Sequence, residues 1–241
     1  MKIEGKNAVG EAIRAGTTID RLIVQKGLSD PNSQRIIDDA KSRAIKIFFR
    51  DKQHLDRESA TGRHQGFVAE VTDYKYTDMD AVLTSCRQKP NALVLLLDGI
   101  EDPHNLGSIL RVAECAGADA VIVPKHRAAS VNETVIKVSA GAANYTSVAK
   151  VTNINDAIKT LKDNGFWIYG AEIGGSNLYS TKLEGKIALV IGGEGNGIKV
   201  LTRKLCDELL TIPMQGKLNS LNASVACGIV VFEILRQQSN C

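Results

Sequence analysis

The sequence predicts an α/β protein in two parts: a small module over residues 1–73 and a larger domain over residues 91–241 built on a parallel sheet, with a linker over residues 74–90. Three observations carry that prediction. Strand-like and helix-like segments alternate through residues 7–71, as in compact α/β modules. Ala92-Leu93-Val94-Leu95-Leu96-Leu97 and Ala188-Leu189-Val190-Ile191 are apolar without interruption, which suits strands covered on both faces by helices. The second run stops at Gly192-Gly193-Glu194-Gly195-Asn196-Gly197, and open parallel sheets bind ligands where strands end in such loops.

In the first module, residues 7–15 put Ala8, Ala12 and Ile13 on one helical face, and Gly16 stops the helix. Leu22-Ile23-Val24 reads as a strand ended by Lys26-Gly27, and residues 33–44 as a helix with Ile36, Ile37 and Ala40 inward. Residues 45–49 are the next strand, and a charged stretch with Asp51, Asp56 and Glu58 separates it from a third over residues 66–71. The linker carries one weak helical pattern, Met79, Val82 and Leu83.

Residues 92–97 open the second domain, and residues 98–104 form the loop at that strand's carboxyl end. Asn105 is placed to cap the next helix, whose inner stripe is Leu106, Ile109, Leu110 and Ala113 and which Gly117 closes. Arg111 lies off the stripe, while Gly107 lets something pack closely against the helix. Strands follow at residues 120–123, 147–151 and 166–170, with helices over residues 131–139 and 155–164. After the glycine loop come a helix bearing Leu201 and Leu205, a strand over residues 209–214, and a last helix opened by Ser220-Leu221-Asn222-Ala223-Ser224. That helix is apolar almost all round from Leu221 to Leu235, relieved mainly by Glu233 and Arg236, so it must be covered on more than one side.

Composition narrows the function classes. At 241 residues there is ample chain for a real core. A net charge of +3 is too mild to signal nucleic-acid binding by bulk charge, so any RNA surface is a local patch. Cys86, Cys115, Cys206, Cys227 and Cys241 are scattered, without a C-x-x-C pair or a histidine at zinc-ligand spacing, which predicts reduced thiols and no metal. The N-terminus lacks a signal peptide's apolar core and no long apolar run follows, so a soluble, cytoplasmic protein with no membrane segment is expected. Glu194 would set a carboxylate beside phosphate oxygens, and Gly193-x-Gly195-x-Gly197 matches neither dinucleotide nor P-loop spacing. A nucleotide-dependent dehydrogenase is thereby disfavoured; taken alone, the glycines allow either a binding loop or a tight strand-to-helix turn.

Three segments stand in order: Asn105-x-Gly107-x-x-x-Arg111, Ile191-Gly192-Gly193-Glu194-Gly195-Asn196-Gly197, and Ile212-Pro213-Met214 with Ser220-Leu221-Asn222-Ala223-Ser224. The triple resembles the signature motifs of the SpoU (TrmH-like) branch of the SPOUT RNA methyltransferases. Gly5-Lys6-Asn7-Ala8-Val9 and Arg63-His64-Gln65-Gly66-Phe67 resemble the L30e-like RNA-binding domain of the RlmB-like 23S ribosomal RNA guanosine 2′-O-methyltransferases. The resemblance implies an L30e-like N-terminal domain, a SPOUT-type C-terminal domain with a trefoil knot, a homodimer, and S-adenosyl-L-methionine as cofactor. It implies that Arg111 activates or orients a ribose 2′-hydroxyl, with Asn105, Glu194, Ser220 and Asn222 positioning it. Ile191, Gly192, Gly193, Gly195, Ile212, Met214, Ser220, Leu221 and Ala223 would hold the cofactor, and Lys6, Asn7, Arg63, His64 and Gln65 would contact RNA. Glu194 then sits near a sulfonium rather than a phosphate. The alternatives are a transfer-RNA or antibiotic-resistance ribosomal RNA methylase of the same fold, and a non-catalytic RNA-binding or ribosome assembly factor.

Overall fold

The computed structural model describes residues 2–15, 17–43, 45–71, 74–195, 197–217 and 220–239. They fall into two compact units, Met1–Tyr74 and Lys75–Cys241.

The first unit is a four-stranded sheet in the order β1-β4-β2-β3, made of β1 (Lys2–Glu4), β2 (Ile19–Gln25), β3 (Ile47–Arg50) and β4 (Phe67–Val71). β2 runs parallel to β3 and antiparallel to β4, which pairs antiparallel with β1. Helices α1 (Lys6–Arg14) and α2 (Pro31–Ser42) supply Val9, Ile13, Ile36 and Ile37 to a core shared with Leu22, Val24 and Phe67. The short α3 (Lys52–Glu58) supplies Leu55, which packs with Ile23 and Val68, the residues that strand alternation turns to the other face. Local chemistry starts the helices: Asp30 caps α2 with Pro31 in its first turn, and Asp51 caps α3 by accepting from the His54 N–H at 2.8 Å.

The inner face of α1 contains Val9 where the sequence pointed to Ala8, which is exposed. The stop expected at Gly16 and the helix end at Ala44 lie outside the described residues. The charged stretch is helical, and β1 went unforeseen because three residues carry no readable period; it forms on the edge that β4 offers.

The second unit is a six-stranded sheet in the order β10-β8-β9-β5-β6-β7, every neighbouring pair parallel. Its strands are β5 (Ala92–Asp98), β6 (Ala120–Pro124), β7 (Val148–Val151), β8 (Trp167–Asn177), β9 (Lys186–Gly192) and β10 (Glu208–Thr211). All residues of β5 are buried, as its apolar run demands of a central strand. The helices are α4 (Met79–Cys86), α5 (Pro103–Cys115), α6 (Glu133–Val138), α7 (Ile154–Asp163), α8 (Val200–Leu205) and α9 (Ala223–Gln238). Residues 79–86, read from sequence as linker, form α4, which sinks Val82 and Cys86 into this unit's core.

Asp102, not Asn105, caps α5: its carboxylate accepts from the His104 N–H, and Pro103 takes a first-turn position. The close approach expected at Gly107 is made by Val138, since a Cβ on Gly107 would stand 2.8 Å from that side chain. β8 runs seven residues beyond the expected Gly170, and β10 ends at Thr211, so residues 212–214 are not strand.

The ends of β5 and β9 lie side by side, Asp98 opposite Gly192. Just beyond them backbone touches backbone. The Gly193 N–H donates to the Asp98 carbonyl at 3.0 Å, and a Cβ on Gly193 would collide with the Gly99 carbonyl. The Asp98 side chain, 2 % exposed, accepts from the Lys199 N–H at 3.0 Å and pairs with that residue's ammonium. Strand end and following loop are thus tied at both edges. Because the neighbour at Gly193 is backbone, Gly193→Ala is expected to cost about 1–3 kcal/mol. Gly216→Ala, where a Cβ meets nothing within 4 Å, should leave the melting temperature near that of the parent.

Candidate active site

Ala171, Glu172 and Ile173 within β8, the ends of β9 and β10 with the loops beyond them, and the start of α9 enclose a cleft of about 560 Å³. All the residues expected to hold the cofactor line it: Ile191, Gly192, Gly193, Gly195, Ile212, Met214, Ser220, Leu221 and Ala223. Gly195 takes a φ of 84°, which a residue with a Cβ resists. The walls combine glycine backbone with aliphatic side chains, a surface suited to a flat heterocycle and to hydrogen bonds from main-chain groups.

At the rim, three side chains from separate elements close a triangle. Asn105, 5 % exposed in the first turns of α5, donates from Nδ2 to Glu194 Oε1 at 3.0 Å. Asn222 donates from its own Nδ2 to Asn105 Oδ1 at 2.9 Å and to Glu194 Oε1 at 2.7 Å. Its Oδ1 accepts from the Ser224 N–H at 2.9 Å and the Ser224 hydroxyl at 2.6 Å, so Asn222 is also the N-cap of α9. Every hydrogen-bonding position of the Asn222 amide is occupied, which locks the rotamer holding Glu194. Glu194 Oε2 accepts no hydrogen bond among the described residues. It is a fixed, exposed carboxylate with one oxygen available to a ligand.

Arg111 is exposed on α5 and does not line the cleft. Six residues of helix set it about 9 Å along the axis from Asn105. Ser220 is exposed and lines the cleft one residue beyond the undescribed pair 218–219.

In the first unit the expected RNA-contact residues gather where α1 begins. Gln65 Oε1 accepts from the Lys6 N–H at 3.1 Å, supplying a first-turn acceptor that the helix itself lacks. Lys6 reaches both oxygens of Asp30, at 3.0 and 2.9 Å. Glu4 accepts from the Ser59 and Thr61 hydroxyls at 2.6 and 2.8 Å and from the Ala60 N–H, and these bonds, Ser59 first and Ala60 next, hold its carboxyl down at about 2 and tie the loop leading to Arg63. Asn7, Arg63 and Gln65 are exposed. His64 corrects an expectation: it is 4 % exposed, its Nδ1 accepts from the Gly66 N–H at 2.9 Å, and its Nε2 is left to donate to Asp56 at 2.9 Å. Neither ring nitrogen is available, so His64 braces the loop that presents its neighbours.

Glu172 and Thr211 also line the cleft and were not anticipated. The strand carrying Glu172 was read as ending at Gly170, and only its continuation in register beside β9, Ala171 opposite Ile191, brings residue 172 to the cleft. Asp98 was visible as the carboxylate ending an apolar run, a position where α/β sheets meet their ligands, but its bond to Lys199 joins residues 101 apart. Among the described residues no group of three His, Cys, Asp or Glu could hold a metal, and no helix is long and apolar enough to cross a membrane.

This geometry agrees with sequence likenesses. The profile of the SpoU rRNA methylase family matches residues 92–232, and that of the RNA 2′-O ribose methyltransferase substrate-binding domain matches residues 2–77. A Staphylococcus aureus (strain COL) protein assigned to the TrmH family of tRNA/rRNA methyltransferases is 42 % identical over 238 residues, 98 % of this chain and 96 % of that one. Among solved structures, a Porphyromonas gingivalis protein assigned as a TrmH-family RNA methyltransferase aligns with a TM-score of 0.59 at 26 % identity, over 98 % of this chain and 90 % of that one. The SpoU methyltransferase AviRb from Streptomyces viridochromogenes, in complex with AdoMet, shares the fold with a TM-score of 0.61 at 23 % identity, over 98 % and 90 % of the two chains.

Since Asn222 serves the helix start and the carboxylate together, the two duties are separable. Asn222→Ala should destabilise the protein by about 1 kcal/mol, whereas Asn222→Ser, itself a good cap, should recover most of that loss in thermal melts.

Proposed function

This chain belongs to the SpoU rRNA methylase family and is an RNA methyltransferase, and we propose that it methylates the ribose 2′-hydroxyl of a guanosine in 23S ribosomal RNA using S-adenosylmethionine. The observation that carries this reading is the Asn105–Glu194–Asn222 triangle at the rim of a glycine-walled apolar cleft. The cleft's chemistry fits the cofactor: Ile191, Ile212, Met214 and Leu221 offer adenine an apolar slot, and Glu194 a carboxylate for a cationic ligand. When bound, S-adenosylmethionine supplies an electrophilic methyl group on a sulfonium. The chain's own task is alignment and removal of one proton, as in any in-line displacement at a methyl carbon. Glu194, held through Oε1 by two amides, turns Oε2 to the incoming hydroxyl. A guanidinium presents only donors and no acceptor, so the role of Arg111 is to orient the ribose or the adjacent phosphate.

The first unit is the RNA-holding part on this reading, with Asn7, Arg63 and Gln65 its exposed polar groups. A transfer-RNA target is the second reading, favoured by a relative whose name covers both RNA classes. The trefoil knot belongs to the proposal as well; the close backbone contact of Gly193 with Gly99, far apart in the chain, supports it.

Labelled S-adenosylmethionine incubated with total cellular RNA, followed by mapping of the 2′-O-methylated nucleotide, tests the target: methylation confined to transfer RNA refutes the ribosomal reading. Arg111→Ala should keep cofactor affinity, because Arg111 is outside the cleft, while methyl transfer falls by at least about 100-fold. Unchanged turnover removes the arginine from the reaction.

We also infer a homodimer. Val225 and Phe232 are 50 % and 47 % exposed on α9, one on each side of the half-buried Ile229, and the spacing puts all three on one apolar stripe. A second copy is the occupant proposed for it. Light scattering should give twice the chain mass at micromolar concentration, and Val225→Glu with Phe232→Glu should halve it; a monomeric parent protein overturns the inference.

A further inference from the structure

Glu172 lines the cleft from β8 and takes no part in the triangle of Asn105, Glu194 and Asn222. Its Oε2 is buried and has no hydrogen-bond partner among the described residues. The nearest cation, Arg203, stands 3.6 Å from the other oxygen, Oε1, and its side chain is 49 % exposed. The Glu172 carbonyl accepts from the Thr211 hydroxyl at 2.8 Å, which anchors the backbone of this residue at the wall of the cleft.

A buried carboxylate oxygen without a donor is costly, and a water, an ion or a ligand is needed to complete it; its place on the wall of the cleft points to the ligand. We propose that Glu172 accepts hydrogen bonds from the vicinal ribose hydroxyls of the methyl donor, and so selects an adenosyl ligand by its sugar. This rests on the cofactor reading above. An adenosyl ligand offers three kinds of donor to such an oxygen: the ribose diol, the amino-acid ammonium and the adenine amino group. The guanidinium of Arg203 already offsets the charge of Glu172, so a neutral donor completes the site without a second cation. The adenine amino group brings a ring nitrogen acceptor beside it, which a carboxylate repels, and the aliphatic walls at Ile212, Met214 and Leu221 suit the base better. Two adjacent hydroxyls present two donors to one carboxylate, and bonds to a charged acceptor are the stronger kind.

Calorimetry on the full chain tests this with S-adenosylhomocysteine, its 2′,3′-dideoxy analogue, and 5′-methylthioadenosine, which lacks the amino acid. The parent protein should bind the dideoxy analogue about 10-fold or more weakly than S-adenosylhomocysteine, a comparison that needs no substitution. Glu172→Gln should weaken S-adenosylhomocysteine and methylthioadenosine by a similar factor, yet leave affinity for the dideoxy analogue unchanged. Equal affinity of the parent for the diol and dideoxy ligands overturns the proposal, as does a substitution effect that persists without the hydroxyls. A loss seen with S-adenosylhomocysteine but not with methylthioadenosine overturns it in favour of the ammonium. A parent protein that binds none of the three refutes the cofactor reading instead.

Discussion

Contact between two stretches of backbone, Gly193 lying on Gly99, is the constraint that organises the second unit. No side chain fits between them, so the chain leaving β9 must pass directly over the chain leaving β5. Asp98 then holds both partners, through its carbonyl to Gly193 and its carboxylate to Lys199. Both strands are buried along nearly their whole length in close-packed surroundings, which fixes where the loops beyond them begin. A cleft walled by such loops can offer fixed main-chain groups to a ligand without ordering them afresh on binding.

The same economy governs the polar rim. Asn105, Glu194 and Asn222 come from α5, the loop after β9 and the N-cap of α9, and each bond that aims Glu194 also satisfies a buried or helix-terminal polar group. Orientation of the carboxylate is thereby coupled to the start of α9 and to the packing of α5 against it. Glu172 differs: its buried Oε2 has no donor among the described residues, so the fold that satisfies Asn105 and Asn222 does not satisfy it.

In the first unit most of the polar residues around α1 serve the architecture. Lys6 is committed to Asp30, Glu4 ties the loop after α3, and His64 is bonded at both ring nitrogens. What they present to solvent is a short exposed set, Asn7, Arg63 and Gln65. A motif read along the chain mixes residues that touch a partner with residues that hold the loop in shape, and burial is what sorts them.

By itself the sequence determined that the strands of the parallel sheet exist, the glycine loop and the cleft residues that belong to the three motifs, because each depends on a local property: an uninterrupted apolar run, a cluster of glycines, or a motif of fixed spacing. Element ends were less legible. α5 is capped by Asp102 rather than Asn105, and β8 outruns Gly170, since capping and strand pairing depend on neighbours that the period does not reveal. Only the tertiary structure decided that Asn105 and Asn222, 117 residues apart, share one carboxylate. Only it decided that His64 is buried, that Glu172 lines the cleft with a buried oxygen lacking a donor among the described residues, and that Arg111 stands outside it. Hydrogen bonds and burial are set by distances across the fold, which follow from how the sheet and its loops close on one another and have no signature in any single stretch of chain.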